Sequence, residues 1–197
     1  MQFKTLFLFF SAISLIACSS TQKIQKQAPA DQMAPASNSI QKGFSLSIPD
    51  QADWTMVKNE SYKIIMTKPG AENNERYTIQ AVMVKLPNFN NDEEFMSFIT
   101  NRMEKSQKKS KVKVIEKNTQ FVEGRDTKCV QYNSKEEYAG KSKPIMLEMV
   151  NFTCRHTDKH NAGVYLAYSK KYSEGNNDKN FAVAAADIFS HMKLSSF

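Results

Sequence analysis

Four groups of residues carry side chains whose types and spacing could do chemistry. Arg155-His156-Thr157-Asp158-Lys159-His160 sets two imidazoles four apart, a spacing at which a helix can offer both to one metal ion. Here they straddle a strand end and a loop, Arg155 and Lys159 add positive charge, and no third ligand is near in sequence. The segment reads as an exposed polar loop, and no metal is expected. Glu136 and Glu137 are candidate paired carboxylates for acid/base work. Adjacent residues on a strand point to opposite faces, so the two cannot act together, and they read as solubilising the end of a hairpin. His191 stands beside the apolar stripe of a terminal helix and near its C-terminus. A cation is favoured there by the helix dipole, so a structural role outweighs that of a general base. Lys105, Lys108, Lys109, Lys111, Lys113 and Lys117 form the densest basic stretch. It could meet anions, but nucleic acid would also need interleaved aromatic residues for stacking, and the stretch has none. It reads as a solvated face. If it has an anionic partner, Lys105, Lys108, Lys109, Lys111 and Lys113 are the expected contacts. No Gly-rich phosphate loop, nucleophile elbow or zinc signature occurs. No catalytic residue and no cofactor are expected, and nucleic acid is not expected as a partner.

The amino terminus carries a different kind of chemistry. A charged start (Lys4), an apolar run from Thr5 and the small residue Ala17 describe a secretory leader over residues 1 to 17. The run is too short to cross a bilayer, which needs about 20 residues. Leu15-Ile16-Ala17-Cys18 resembles the lipobox of bacterial lipoproteins. That resemblance implies cleavage before Cys18, a diacylglycerol on its sulfur and acylation of the new amino terminus. One acyl chain gives marginal membrane binding, whereas the three that the resemblance implies would hold permanently. Ser19 follows Cys18, and by the sorting rule of Gram-negative lipoproteins a non-Asp residue there implies the outer membrane, on either its periplasmic or its surface face.

Residues 18 to 42 are polar, with Ile24, Met33 and Ile40 as the sizeable apolar residues. Such a stretch buries too little to offset its ordering entropy, so a flexible lipidated tether is expected. Residues 43 to 197 then form a single domain. The formal charge is +7; it stays basic once Lys4 is removed, which suits solubility and anionic partners such as lipid headgroups.

An extracytoplasmic address leaves Cys129 and Cys154 in an oxidising space. Residues 139 to 143 read as a turn, and the midpoint between the cysteines falls inside it, so an antiparallel hairpin would bring them side by side. Matching Val130 and Tyr132 with Val150 and Phe152 puts the cysteines one residue out of register. A slip of that size moves a side chain to the other face, so this pairing needs a bulge. A disulfide is the favoured reading and two buried free thiols the alternative. The spacing is not the Cys-x-x-Cys of a redox pair.

The elements that must position these residues follow from periodicity. Alternation of apolar and polar residues marks a strand at 44–48, with others at 54–58, 62–66 and 77–86. Behind Asn90 and Asn91 come Asp92, Glu93 and Glu94, an acidic first helical turn behind a capping residue. Phe95, Phe98, Ile99 and Met103 follow at helical spacing. Strands are expected at 112–122, 129–138, 145–155 and 164–168. A last helix buries Phe181, Ala184, Ala185, Ile188 and Met192. The class is α+β, an antiparallel sheet flanked by helices.

Gly43-Phe44-Ser45-Leu46-Ser47-Ile48-Pro49 followed by Trp54 resembles the start of the Mog1/PsbP-like domains. The order of parts is similar too: early strands, one middle helix after a Leu-Pro break, a run of strands and a final Ala-rich helix. The resemblance spans residues 43 to 197. It implies an α/β/α sandwich and a noncatalytic role, since that family includes a nuclear transport factor, photosystem accessory proteins and bacterial lipoproteins. It carries over no functional residue. The expectation is therefore a noncatalytic envelope lipoprotein that binds an envelope or extracellular protein. The alternative is a binder of a small ligand or anionic envelope polymer through a basic surface or groove.

Overall fold

Short-range alternation and one strong helical period build the domain. The computed structural model describes residues 39–48, 53–110, 112–124, 126–138, 144–175 and 178–196. The leader, Cys18, most of the tether and Lys111 lie outside the described residues. In chain order the strands are β1 (Ser39–Gln41), β2 (Phe44–Leu46), β3 (Thr55–Glu60), β4 (Lys63–Pro69) and β5 (Arg76–Lys85). Helix α1 (Asp92–Ser110) follows, then β6 (Lys113–Glu123), β7 (Lys128–Tyr138), β8 (Ile145–Arg155) and β9 (Ala162–Ser173). Helix α2 (Phe181–Ser190) and β10 (Met192–Leu194) complete the chain. The large sheet runs β3-β4-β5-β9-β8-β7-β6 and the small one β1-β2-β10, with every pairing antiparallel. This is an α+β protein.

Capping fixes where α1 begins. The Glu94 N–H donates to Asn91 Oδ1 at 2.8 Å, while the Glu94 carboxylate accepts the Asn90 N–H at 3.0 Å. This reciprocal arrangement satisfies amides that a helix start would otherwise leave open. Asp92, Glu93 and Glu94 occupy the first turn and Lys108 and Lys109 the last, as the helix dipole favours. Helix α1 packs on β6 and β7, and α2 on β8 and β9.

The core divides by residue parity. Phe181, Ala185 and Ile188 of α2 join Phe44 and Leu46 of β2 and Met192 of β10. They pack against Cys129, Val150, Phe152, Cys154, Val164, Leu166 and Tyr168. The second cluster sets Phe95 and Ile99 of α1 against Val130, with Val84 and Phe121 partly buried beside them. Cys129 and Val130 are neighbours on one strand, so the two clusters lie on opposite faces of the large sheet.

That two-sided burial corrects the expected hairpin register. Cys129 pairs directly with Cys154, and no bulge intervenes. Val130 and Tyr132 do not match Val150 and Phe152. They sit opposite Thr153 and Asn151, while Val150 and Phe152 sit opposite Asn133 and Gln131. Apolar residues on β7 and β8 serve different faces, so matching them across the pair misleads.

Three further differences appear. Strand β1 (Ser39–Gln41) lies inside the stretch expected to be tether. There Lys42 and Gly43 form a two-residue hairpin turn, with Gly43 at a φ of 88° that favours glycine. Strand β9 runs on to Ser173, well past the expected 164–168. Met192 is not part of the α2 stripe: the helix stops at Ser190 and Met192 opens β10, paired with β2.

Candidate functional site

The hairpin places Cys129 and Cys154 in contact, and they are joined as a disulfide with Cα atoms 4.2 Å apart. That separation belongs to the closely spaced type of antiparallel pair. Cross-linking residues 25 apart in sequence stabilises the fold by about 3 kcal/mol.

The predicted lysine stretch is split by the structure. Lys105, Lys108 and Lys109 stand exposed on α1. Lys113 pairs with Glu137 at 3.0 Å, and Lys117 pairs with Glu104. Lys117 therefore lies under α1 on the sheet and is not continuous with the exposed three.

His156 is not part of an exposed loop. It is 3% exposed, and its Nδ1 accepts the Asp158 N–H at 3.1 Å. The proton must then sit on Nε2, which faces the Gly43 carbonyl at 3.1 Å and that of Ser195 at 3.0 Å. The side chain ties the first hairpin and the carboxyl-terminal segment to the end of β8. His160 is exposed, and Arg155 pairs with Asp92 at the start of α1. His191 closes α2, its N–H donating to the Ile188 carbonyl at 3.2 Å. Among the described residues no group of three or more His, Cys, Asp or Glu could hold a metal ion.

Glu136 corrects the reading of Glu136-Glu137 as a solubilising pair. It is 2% exposed and accepts hydrogen bonds from Gln107 Nε2 (2.6 Å), Ser134 Oγ (3.1 Å) and the Tyr138 hydroxyl (3.0 Å). The Tyr132 hydroxyl donates to Gln107 Oε1 at 3.0 Å and extends the network under α1. Burial, then the Glu136 charge, pushes the Tyr138 hydroxyl up to about 12. The sequence held a signal for this: Val130, Tyr132, Ser134 and Glu136 share one strand face, so a buried Val130 at one end argues for burial at the other.

Beside α1, a cleft of ≈ 240 Å³ opens between the helix and the face of β5, β8 and β9. Val82, Val84, Ile99 and Met103 line it with apolar surface; Gln80, Thr153, Tyr165, Ser106 and Arg102 add polar groups. Tyr165 donates its hydroxyl proton to Asn151 Oδ1 at 2.6 Å, and burial pushes that hydroxyl up to about 12. Asn151 is 1% exposed, and its Nδ2 has no partner among the described residues. An unmet buried donor costs about 1–3 kcal/mol.

The opposite face of the sheet carries a row of alternating charge. Glu116, Lys135, Glu148 and Lys170 are successive cross-strand partners, followed by Tyr77 and Lys68. A hollow of ≈ 600 Å³ lies over the Glu116–Glu148 end, bounded by Phe181 and Ala182 of α2. Burial raises the Glu148 carboxyl, with Lys135 and Lys170 opposing. Lys170 also meets Glu75 at 3.0 Å, with both side chains almost fully buried. Burial works against the Glu75 carboxylate, but Lys170 and the Ala71 N–H (2.9 Å) outweigh it and hold the group below the usual glutamate range. Gly70 permits this approach, since a Cβ there would lie 2.5 Å from the carboxylate. Neither Lys170 nor Glu75 carried a sequence signal: Lys170 stands beside Lys171, and Glu75 beside Arg76 at the end of a polar loop, and both settings read as solvent-facing.

Among the described residues no helix is long and apolar enough to cross a membrane. No protein-family model and no curated protein matches the sequence. Solved structures to which the chain is similar include two. One is a crystal structure from Bacteroides thetaiotaomicron VPI-5482, 11% identical with a TM-score of 0.42 over 80% of this chain and 50% of that one. The chain thus spans about half the length of that structure. The other is LpqN, involved in cell envelope biogenesis of Mycobacterium tuberculosis, 13% identical with a TM-score of 0.48 over 77% of this chain and 83% of that one. At these scores neither transfers a role or a residue to this chain.

Proposed function

We propose that this chain is a noncatalytic, lipid-anchored protein of the bacterial cell envelope. In this reading Cys18 carries the lipid, the residues after it form a tether, and the domain faces a protein partner of the envelope or the exterior. Ser19 after Cys18 favours the outer membrane. The observation that carries the reading is the Cys129–Cys154 bond in a chain whose remaining cysteine lies in a lipobox-like setting. Such bonds persist in oxidising compartments. The parity of the two core clusters supports an α/β/α sandwich of the Mog1/PsbP-like kind. A noncatalytic role fits the buried acids, since Glu75 and Glu136 are committed to structural partners. Val57 and Tyr62, more than half exposed on edge strand β3 and the turn after it, offer apolar contact to a protein. Cell fractionation tests the anchor: Cys18→Ala should move the protein from the membrane to the soluble fraction, and retention in the membrane would overturn the reading.

A second reading, binding of an anionic envelope polymer, draws support from Lys105, Lys108 and Lys109. These are exposed on α1 and make no ion pair among the described residues. Replacing all three with Gln should abolish salt-sensitive capture of lipopolysaccharide if this reading holds.

A further inference from the structure

We propose that the cleft beside α1 binds a small organic anion: a carboxylate carried on a short apolar body. The cleft combines three features that no single structural role requires together. Its walls are Val82 and Val84 from β5 and Ile99 and Met103 from α1, so water filling it would lie against apolar side chains. Its rim holds Arg102, which makes no ion pair among the described residues. A guanidinium keeps its charge at any ordinary pH, and its fork matches a carboxylate in two parallel hydrogen bonds. Its inner wall is polar. Thr153 and Gln80 offer hydrogen-bonding groups there, and Tyr165, having given its proton to Asn151, presents an acceptor oxygen. Asn151, on the same strand face as Thr153 and bonded to Tyr165, keeps an unmatched Nδ2 in the wall behind.

Size and charge then select the ligand. A space of ≈ 240 Å³ holds about eight water-sized groups, smaller than the ~300–1,000 Å³ of pockets that take drug-sized ligands. Arg102 at the rim disfavours cations. An anion whose body lies on the four apolar side chains, with its carboxylate turned out to Arg102, fits both. The inner polar wall also accommodates a ligand with a hydroxyl or amide at its far end. None of the exposed lysines lines the cleft, and the site does not depend on how the chain is anchored.

The test is an NMR titration of the full-length protein at low salt, read at the side-chain methyls of Val82, Val84, Ile99 and Met103. Hexanoate is the probe and hexylammonium the charge-reversed control. Hexanoate should shift these methyls saturably and hexylammonium should not. Arg102→Gln should weaken hexanoate about tenfold or more, and Arg102→Lys should recover part of the loss by restoring charge without the fork. Ser106→Phe should block the cleft, while Lys105→Gln, Lys108→Gln and Lys109→Gln together should leave hexanoate binding unchanged. Absence of saturable shifts, equal binding of hexylammonium, or full affinity in Arg102→Gln would overturn the proposal. Loss of hexanoate binding with lysine-dependent polymer capture intact would remove the cleft and leave the second reading above standing.

Discussion

The two faces of the large sheet are built on different principles. The α2 face is apolar and packed where α2 and the small sheet cover it: Phe152 stacks on Phe189 with centroids 4.0 Å apart, Tyr168 on Phe181 at 4.8 Å, and the small sheet adds Phe44 and Leu46. Past Phe181 the same face carries the Glu116–Lys170 charge row and the ≈ 600 Å³ hollow. The face under α1 has a shorter apolar contact, around Phe95 and Ile99, and continues into hydrogen-bonded polar groups and an open cleft. Burial of apolar area supplies most folding free energy. Buried polar networks contribute little net stability but are costly to break. The packed part of the α2 face thus holds the domain together, whereas the α1 face sets its cleft directly beside a helix that contributes little apolar contact.

The largest expected effect lies in the packed part of the α2 face. Phe152→Ala removes a ring that is 3% exposed and should cost about 3–5 kcal/mol in denaturant unfolding. A loss as small as that of a surface change would break the contrast between the faces. Reducing Cys129–Cys154, on the same face, should lower stability by about 3 kcal/mol without altering the fold.

Glu75→Ala should cost about 3 kcal/mol, because it leaves Lys170 buried without its carboxylate. The same pair gives a pH dependence. The Glu75 carboxyl is held below its usual range in the fold, so its contribution is present above that range and is lost as pH falls through the lowered value. Glu148, raised by burial, acts in the opposite sense: it favours the fold at acid pH and loses that contribution as pH rises through its raised value. Unfolding curves of Glu75→Gln should therefore show weaker acid destabilisation than the parent protein.

On the α1 face, Glu136→Ala should cost about 1–3 kcal/mol by leaving Gln107, Ser134 and Tyr138 without their acceptor. Loss of α1 helicity in this variant would show that the network holds the helix on the sheet.

Legibility in the sequence followed the range of the forces involved. Helix α1 could be placed because its signals are local: Asn91, Glu94 and the Phe95–Ile99 spacing lie within two turns. The β7–β8 hairpin was legible from its turn residues and the symmetry of the cysteines about them. Its register was not, since both faces of these strands are buried and the apolar pattern no longer names one face. Strand β10 escaped because three residues carry no periodicity, and it exists through its pairing with β2. The cleft was foreshadowed only as a groove between sheet and helix. Arg102, Thr153, Tyr165 and Asn151 come from α1, β8 and β9, and only the sheet order brings them together.

Intact mass of the protein extracted from membranes, with and without reductant before thiol alkylation, tests the central claim most directly. The account predicts a chain starting at residue 18, carrying acyl groups on Cys18 and taking up alkylating reagent at Cys129 and Cys154 only after reduction. A chain with residue 18 unmodified, or with both other cysteines alkylated without reductant, would contradict it.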